Sequence, residues 1–132
     1  LLISDTVRHS DEEYAQILND AEPTSAQLAL IREKIIMLFE EKKIFLNKDL
    51  TIWEVAKIIG TNRTYISSVI NNDFKQNFSS FANSYRMKHA QAIKNQNPNI
   101  HKEDLAEMSG FGSVSSMHRA FTQLKQNKPE AN

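Results

Sequence analysis

Apolar residues recur along this chain at helical spacing, and two of the stretches that carry them match each other. Residues 50–70 read LTIWEVAKIIGTNRTYISSVI, and residues 100–121 read IHKEDLAEMSGFGSVSSMHRAF. Setting Ala56 on Ala106 and Gly60 on Gly110 also puts Leu50 on Ile100 and Val55 on Leu105. After the glycine the second stretch has one extra residue, so Ile66 falls on Met117 and Ile70 on Phe121. Each copy is an apolar-periodic segment, an alanine, a glycine, and a second apolar-periodic segment. That is the sequence form of a helix-turn-helix unit.

The rest of the chain reads as further helices. Leu28, Ile31, Ile35, Leu38 and Phe39 form a stripe that predicts a helix starting after Thr24 or Ser25 and ending near Lys43. Thr51 with Glu54 is a capping-box pattern opening a helix with Ile52, Val55, Ala56 and Ile59 inward. Gly60 suits its left-handed end. Asn62 or Thr61 caps the next helix, which buries Ile66, Val69 and Ile70 and stops at Asn71–Asp73. Asn77 caps the longest helix, with Phe78, Phe81, Ala82, Tyr85, His89, Ala92 and Ile93 on one face. That helix ends before Pro98, because the residue preceding a proline disfavours α geometry. The second unit spans about 101–126 and turns Leu105, Ala106, Met108, Met117, Ala120, Phe121 and Leu124 inward. His101 stands where Thr51 caps the first copy, and histidine is the poorer cap. No segment alternates like a strand. The predicted fold is all-α: two helix-turn-helix subdomains, at about 51–73 and 101–126, joined by a long linker helix at about 78–96.

Residues 1–26 lack a sustained apolar period and are read as an acidic tether with at most one short helix around Asp11–Leu18. The domain proper is read as 27–132. The sequence has neither an initiator Met nor a signal-peptide pattern, so it reads as a fragment of a longer chain. The 132 residues have a formal net charge of +0, which argues at first against a nucleic-acid partner. The distribution changes that. Residues 1–29 carry a balance of −5 and the remainder +5, so a mildly basic domain follows an acidic leader. There is no cysteine, hence no disulfide or thiolate metal site, and no run of about 20 apolar residues that would span a membrane.

In a helix-turn-helix the second helix lies in the major groove and shows a few side chains to base edges. Opposite the apolar stripe of the first unit stand Arg63, Thr64, Ser67, Ser68 and Asn71. Opposite that of the second stand Val114, Ser115, His118, Arg119 and Thr122. These are hydrogen-bonding residues, plus a valine suited to a thymine methyl. No acidic residue precedes Asp73 on the first face, and none lies on the second. At 1.5 Å per residue the linker helix is about 28 Å long, near the ~34 Å repeat of the major groove.

Residues from about 30 to 129 resemble the DNA-binding domain of the AraC/XylS family of bacterial transcription regulators. The resemblance is carried by L-T-I-W-E-V-A-K-I-I-G-T-N-R-T-Y-I-S at 50–67, F-S-S-F-A-N-S-Y-R-M-K-H-A at 78–90 and L-A-E-M-S-G-F-G-S-V-S-S-M-H-R-A-F at 105–121. It implies a bipartite seven-helix domain with recognition helices in adjacent major grooves. It implies base-facing roles for Thr64, Ser67, Ser68, Val114, Ser115, His118 and Arg119. Tyr85-Arg86-Met87 matches the family's Tyr-Arg-hydrophobe pattern in the linker helix. The family's closing glycine turn and last short helix have no counterpart in Gln126-Asn-Lys-Pro129. The implied function is sequence-specific regulation of transcription on double-stranded DNA, in the cytoplasm. Self-association through an upstream region is expected, RNA polymerase is a candidate partner, and the full-length protein has room for a membrane tether outside this fragment.

Other readings compete residue by residue. Against the assigned roles, Arg119 has a reading as a solvated arginine and Ser67 and Ser68 as neutral helix surface, while Trp53 reads as a packing or backbone-side residue rather than a base reader. His9, His89, His101 and His118 are not at metal-ligand spacing, and the acid pairs read as solvated faces. No phosphate-cradling glycine loop or nucleophile motif is present, so no enzyme, cofactor or metal is expected. The rival in a different class is a helical protein-interaction module that keeps the fold and has lost DNA binding.

Overall fold

Thr24 opens the first helix with a complete capping box. Its hydroxyl accepts from the Gln27 N–H at 3.1 Å, and its own N–H donates to Gln27 Oε1 at 2.8 Å. In the computed structural model, which describes residues 22–127, this helix is α1, Ser25–Glu40. A 3-10 turn follows at Ile44–Leu46. Then come α2 (Ile52–Ile59), α3 (Arg63–Phe74), α4 (Phe78–Gln96), α5 (Lys102–Met108) and α6 (Val114–Asn127). The described residues are all-helical, with no strand among them. The tether expected at 1–26 and its short helix lie almost wholly outside the described residues. The seventh helix of the family pattern, for which the sequence offers no counterpart, would fall after Asn127, outside the described residues.

The helix starts obey the capping chemistry. Thr51 Oγ1 accepts from the Glu54 N–H at 3.2 Å, Asn62 Oδ1 from Tyr65 at 2.9 Å, Asn77 Oδ1 from Ser80 at 2.8 Å, and Ser113 Oγ from Ser116 at 3.1 Å. His101 makes no side-chain cap bond, as a poor capping residue should not. Two ends differ from expectation. The first helix stops at Glu40 rather than near Lys43, because Lys43 turns left-handed (φ 51) to launch the 3-10 turn. The third runs past Asn71–Asp73 to Phe74, and Lys75 (φ 57) ends it.

Two cores result. The larger gathers Ile31, Ile35, Phe39, Val55, Ile66, Ile70 and Phe81 from α1–α4. Its centre is aromatic: the Phe39 ring meets Phe81 at 4.8 Å and Tyr85 at 5.2 Å between centroids, and Phe45 stacks on Phe39 at 6.4 Å. Truncating a fully buried ring such as Phe39 to alanine costs about 3–5 kcal/mol. The smaller core holds Met87, Ala106, Phe111, Met117 and Ala120. α4 serves both: Phe81 and Ala82 face the first, Met87 the second.

Three residues read as inward by periodicity are exposed: Ala92, Met108 (53%) and Leu124 (43%). Met108 ends a helix of seven residues, too short for two inward turns once Leu105 and Ala106 face α4. Its repeat partner Ile58 is exposed as well (57%). Ala92 and Leu124 continue their stripes where no described element covers them. Phe111, the residue beside the extra position in the second copy, is instead a buried core residue.

Arg86 fastens α4 to the segment that follows α1. Its Nε donates to the Phe45 carbonyl at 2.7 Å and Nη2 to the Asn47 carbonyl at 3.0 Å, while Nη1 donates to Asn83 Oδ1 at 3.0 Å. The side chain therefore ties α4 to the 3-10 turn. Gly110 (φ +87) then seats the α5–α6 turn on that same segment. A Cβ there would overlap the Phe45 carbonyl oxygen and come to 2.8 Å from the Leu46 Cα.

Candidate nucleic-acid interface

The two repeat copies build the same local object twice. In each, the buried alanine of the first helix lets the second approach: Ala56 is 4% exposed and Ala106 2%. Gly60 and Gly110 take φ +86 and +87. Past the glycine, the Thr61 N–H donates to the Ala56 carbonyl and the Phe111 N–H to the Ala106 carbonyl, both at 2.9 Å. This is the bond that closes a left-handed helix end. Asn62 and Ser113 then cap the second helices in equivalent positions.

The residues expected to face a partner fall at five matching places. Arg63 pairs with Val114, Thr64 with Ser115, Ser67 with His118, Ser68 with Arg119, and Asn71 with Thr122. Arg63, Thr64, Asn71, Ser115, His118 and Arg119 are exposed, while Ser67, Ser68 and Val114 are half-buried. Thr122 is exposed too, so all ten of these positions reach the surface of α3 or α6. Without a partner their polar groups satisfy one another along the helix. Asn71 Nδ2 donates to Ser67 Oγ at 3.2 Å, and Asn72 Nδ2 to Ser68 Oγ at 3.2 Å. Arg119 Nη2 donates to Ser116 Oγ at 3.2 Å, and Thr122 Oγ1 to the His118 carbonyl at 2.9 Å. Such exposed bonds contribute little and exchange readily for bonds to a ligand.

Asp73, the only acid on α3, is drawn to Arg32 of α1 at 3.6 Å, and α6 carries no acid. That ion pair is too exposed to stabilise much. It does move a carboxylate toward α1. Trp53 is not a packing residue: it is 66% exposed, and the Arg63 guanidinium lies over its ring at 5.6 Å. The contact steers Arg63 toward α2.

Periodicity missed Lys48, Arg86 and Gln123, which surround a cleft beside Arg119. They come from a loop and two separate helices, so no repeat or stripe connects them. The signal present in the sequence was the arginine on an otherwise apolar face of α4. Two titrating groups sit at the base of the first core. Burial, with a hydrogen bond to Glu40 at 3.0 Å, pushes the Tyr85 hydroxyl up to about 12. Burial and the neighbouring Lys43 charge hold His89 below its usual value. No helix among the described residues is long and apolar enough to cross a membrane, and no group of three His, Asp or Glu side chains gathers there as a metal site would need. The chain matches no protein-family model, and no curated protein or solved structure is significantly similar to it.

Proposed function

We propose that this chain is a sequence-specific DNA-binding domain of the AraC/XylS kind. In this reading two helix-turn-helix units, α2–α3 and α5–α6, are joined by α4 and enter successive major grooves. The observation that carries the reading is the doubled construction: two helix pairs closed by the same glycine turn, each showing an acid-free polar face at the same five positions. A helix that needed only solvation would more often carry Glu and Lys there. Thr64, Ser67, Ser68, Ser115 and His118 supply donors and acceptors for base edges, and Val114 an apolar contact for a thymine methyl. The 19 residues of α4 give a spacer of about 28 Å, near the groove repeat.

The domain acts in this reading as the reading head of a longer cytoplasmic regulator. One such domain alone binds weakly. Two of them joined through an upstream region bind paired sites more tightly, because tethering makes the second contact intramolecular and can add about 10²–10⁴ in avidity.

The test is selection of a duplex from a random pool, followed by binding across a salt series. A selected sequence should bind with an affinity that falls steeply with salt. Ser67→Ala with Ser68→Ala, and separately His118→Ala, should lower affinity for the selected site by about 1–3 kcal/mol per lost base contact and relax preference at one position each. No enrichment of any sequence, with no salt-dependent binding to duplex, would sink the proposal. That outcome belongs to the competing reading, a protein-interaction module, which the zero net charge of the chain favours.

A further inference from the structure

A cleft of about 310 Å³ opens where the 3-10 turn, α4 and α6 meet. Its walls carry three cations, Lys48, Arg86 and Arg119, each from a different one of these segments or the loop that follows it. Asn83, Ser116 and Gln123 add side-chain hydrogen-bonding groups, and the backbone of Gly110–Gly112 forms one edge. No carboxylate lines it. Its size stands at the low end of small-molecule sites, which run from about 300 Å³ upward.

Arg86 is the unusual member. It is 9% exposed, and its partners are two carbonyls and one amide oxygen, none of them an anion. A buried cation without a counter-ion is costly, and proteins usually supply one. The guanidinium has five N–H donors. Those not given to Phe45, Asn47 and Asn83 have no partner among the described residues. Arg119 reaches along α6 toward Ser116, which also lines the cleft. A small, strongly acceptor-rich anion answers all of this at once, and a planar guanidinium fork matches phosphate oxygens in particular.

We infer that this cleft is a phosphate-binding site, with Lys48 and Arg119 as its direct ligands and Arg86 as the fixed charge behind them. The phosphate comes either from a DNA strand crossing between the two units or from a free phosphorylated molecule. The strand source rests on the DNA-binding reading. It moves Arg119 from base reader to phosphate ligand, and the cleft itself does not depend on it. Because the walls come from the loop after the 3-10 turn, from α4, and from the α5–α6 turn with α6, an occupant would brace α6 against the segment beside the first core.

The experiment titrates the chain with sodium pyrophosphate at constant ionic strength and follows backbone amide resonances. Saturable shifts confined to Gly110, Gly112 and Ser116 are expected. They should weaken about tenfold in Lys48→Gln and again in Arg119→Gln, the loss of one charge-assisted hydrogen bond each. Lys88→Gln, an exposed lysine on the far side of α4, should leave them unchanged. Arg86 is not substituted, since it holds the fold. A second arm measures duplex binding against salt. If Lys48→Gln weakens all sequences alike and lowers the salt slope by about one, the ligand is a strand phosphate. If duplex binding is unchanged while pyrophosphate binding is lost, the ligand is a free phosphorylated molecule. Should the chain bind no duplex at all, the DNA reading falls and the pyrophosphate arm alone decides the cleft. Absence of local saturable shifts, or an equal response in the Lys48→Gln, Arg119→Gln double variant, overturns the inference.

Discussion

Two glycines with the same backbone and different surroundings offer a controlled test of how the two units are joined. Gly60 and Gly110 have φ +86 and +87, so an alanine at either pays the same conformational strain of about 1–2 kcal/mol. At Gly60 an added Cβ meets nothing within 4 Å. At Gly110 it meets backbone: the Phe45 carbonyl oxygen and the Leu46 Cα. Backbone cannot rotate away like a side chain, so the turn must lift off its seat. Overpacking of this sort costs a further ~1–3 kcal/mol. The carbonyl being pushed is also the acceptor for Arg86 Nε at 2.7 Å, so its displacement loosens that bond. Gly60→Ala should therefore lose about 1–2 kcal/mol and Gly110→Ala about 2–5. With a urea slope of about 1.5 kcal/mol/M, the midpoint falls by about 1 M in the first and by about 2 M or more in the second. Circular dichroism through a urea series measures both. A smaller slope in Gly110→Ala would report the second unit coming loose before the first unfolds. Equal midpoints for the two variants would refute the docking of the α5–α6 turn on the 3-10 segment.

Other outcomes follow from single side chains. Arg86→Met leaves the Phe45 and Asn47 carbonyls without their donor and should cost about 2–4 kcal/mol by chemical denaturation. Arg86→Lys should not restore it, because one ammonium cannot span the three acceptors of the fork. Ser109 is fully buried, and its hydroxyl has no partner among the described residues; Ser109→Ala should leave stability within about 0.5 kcal/mol or raise it. Tyr85 keeps its proton in the fold to about pH 12, whereas the unfolded chain releases it near 10. Stability should therefore fall as pH rises from about 10 to 12, and ultraviolet titration should show a late tyrosinate phase that Tyr85→Phe removes.

How much of this was legible beforehand depends on the range of the interaction concerned. Caps are local, and Thr51, Asn62 and Asn77 bond within three residues of themselves, so their identity placed the helix starts, with Thr61 left open as an alternative to Asn62. The left-handed glycines and the buried alanines of the repeat were legible for the same reason, as was the all-helical class. The surface position of α3 and α6 residues followed from a period of 3.6 wherever a neighbour covered the opposite face. It failed at Ala92, Met108 and Leu124, because a stripe records which side a helix would bury and not whether anything lies there to cover it. Phe111 was missed because it sits in a turn, where no period applies.

Only the tertiary structure decided what Arg86 does. The Tyr85-Arg86-Met87 pattern does not say what the arginine binds, and its partners lie 39 and 41 positions away. Nor did local pattern reveal that Gly110 needs to be glycine twice over, once for its φ and once for the backbone lying against it. The cationic cleft is of the same kind: Lys48, Arg86 and Arg119 belong to no common motif and meet because the second core packs against the 3-10 turn of the first. Short-range hydrogen bonding and side-chain entropy are properties of a few consecutive residues, so the sequence states them directly. Proximity between distant segments is set by which surfaces exclude water together, and that exists only once the chain has folded.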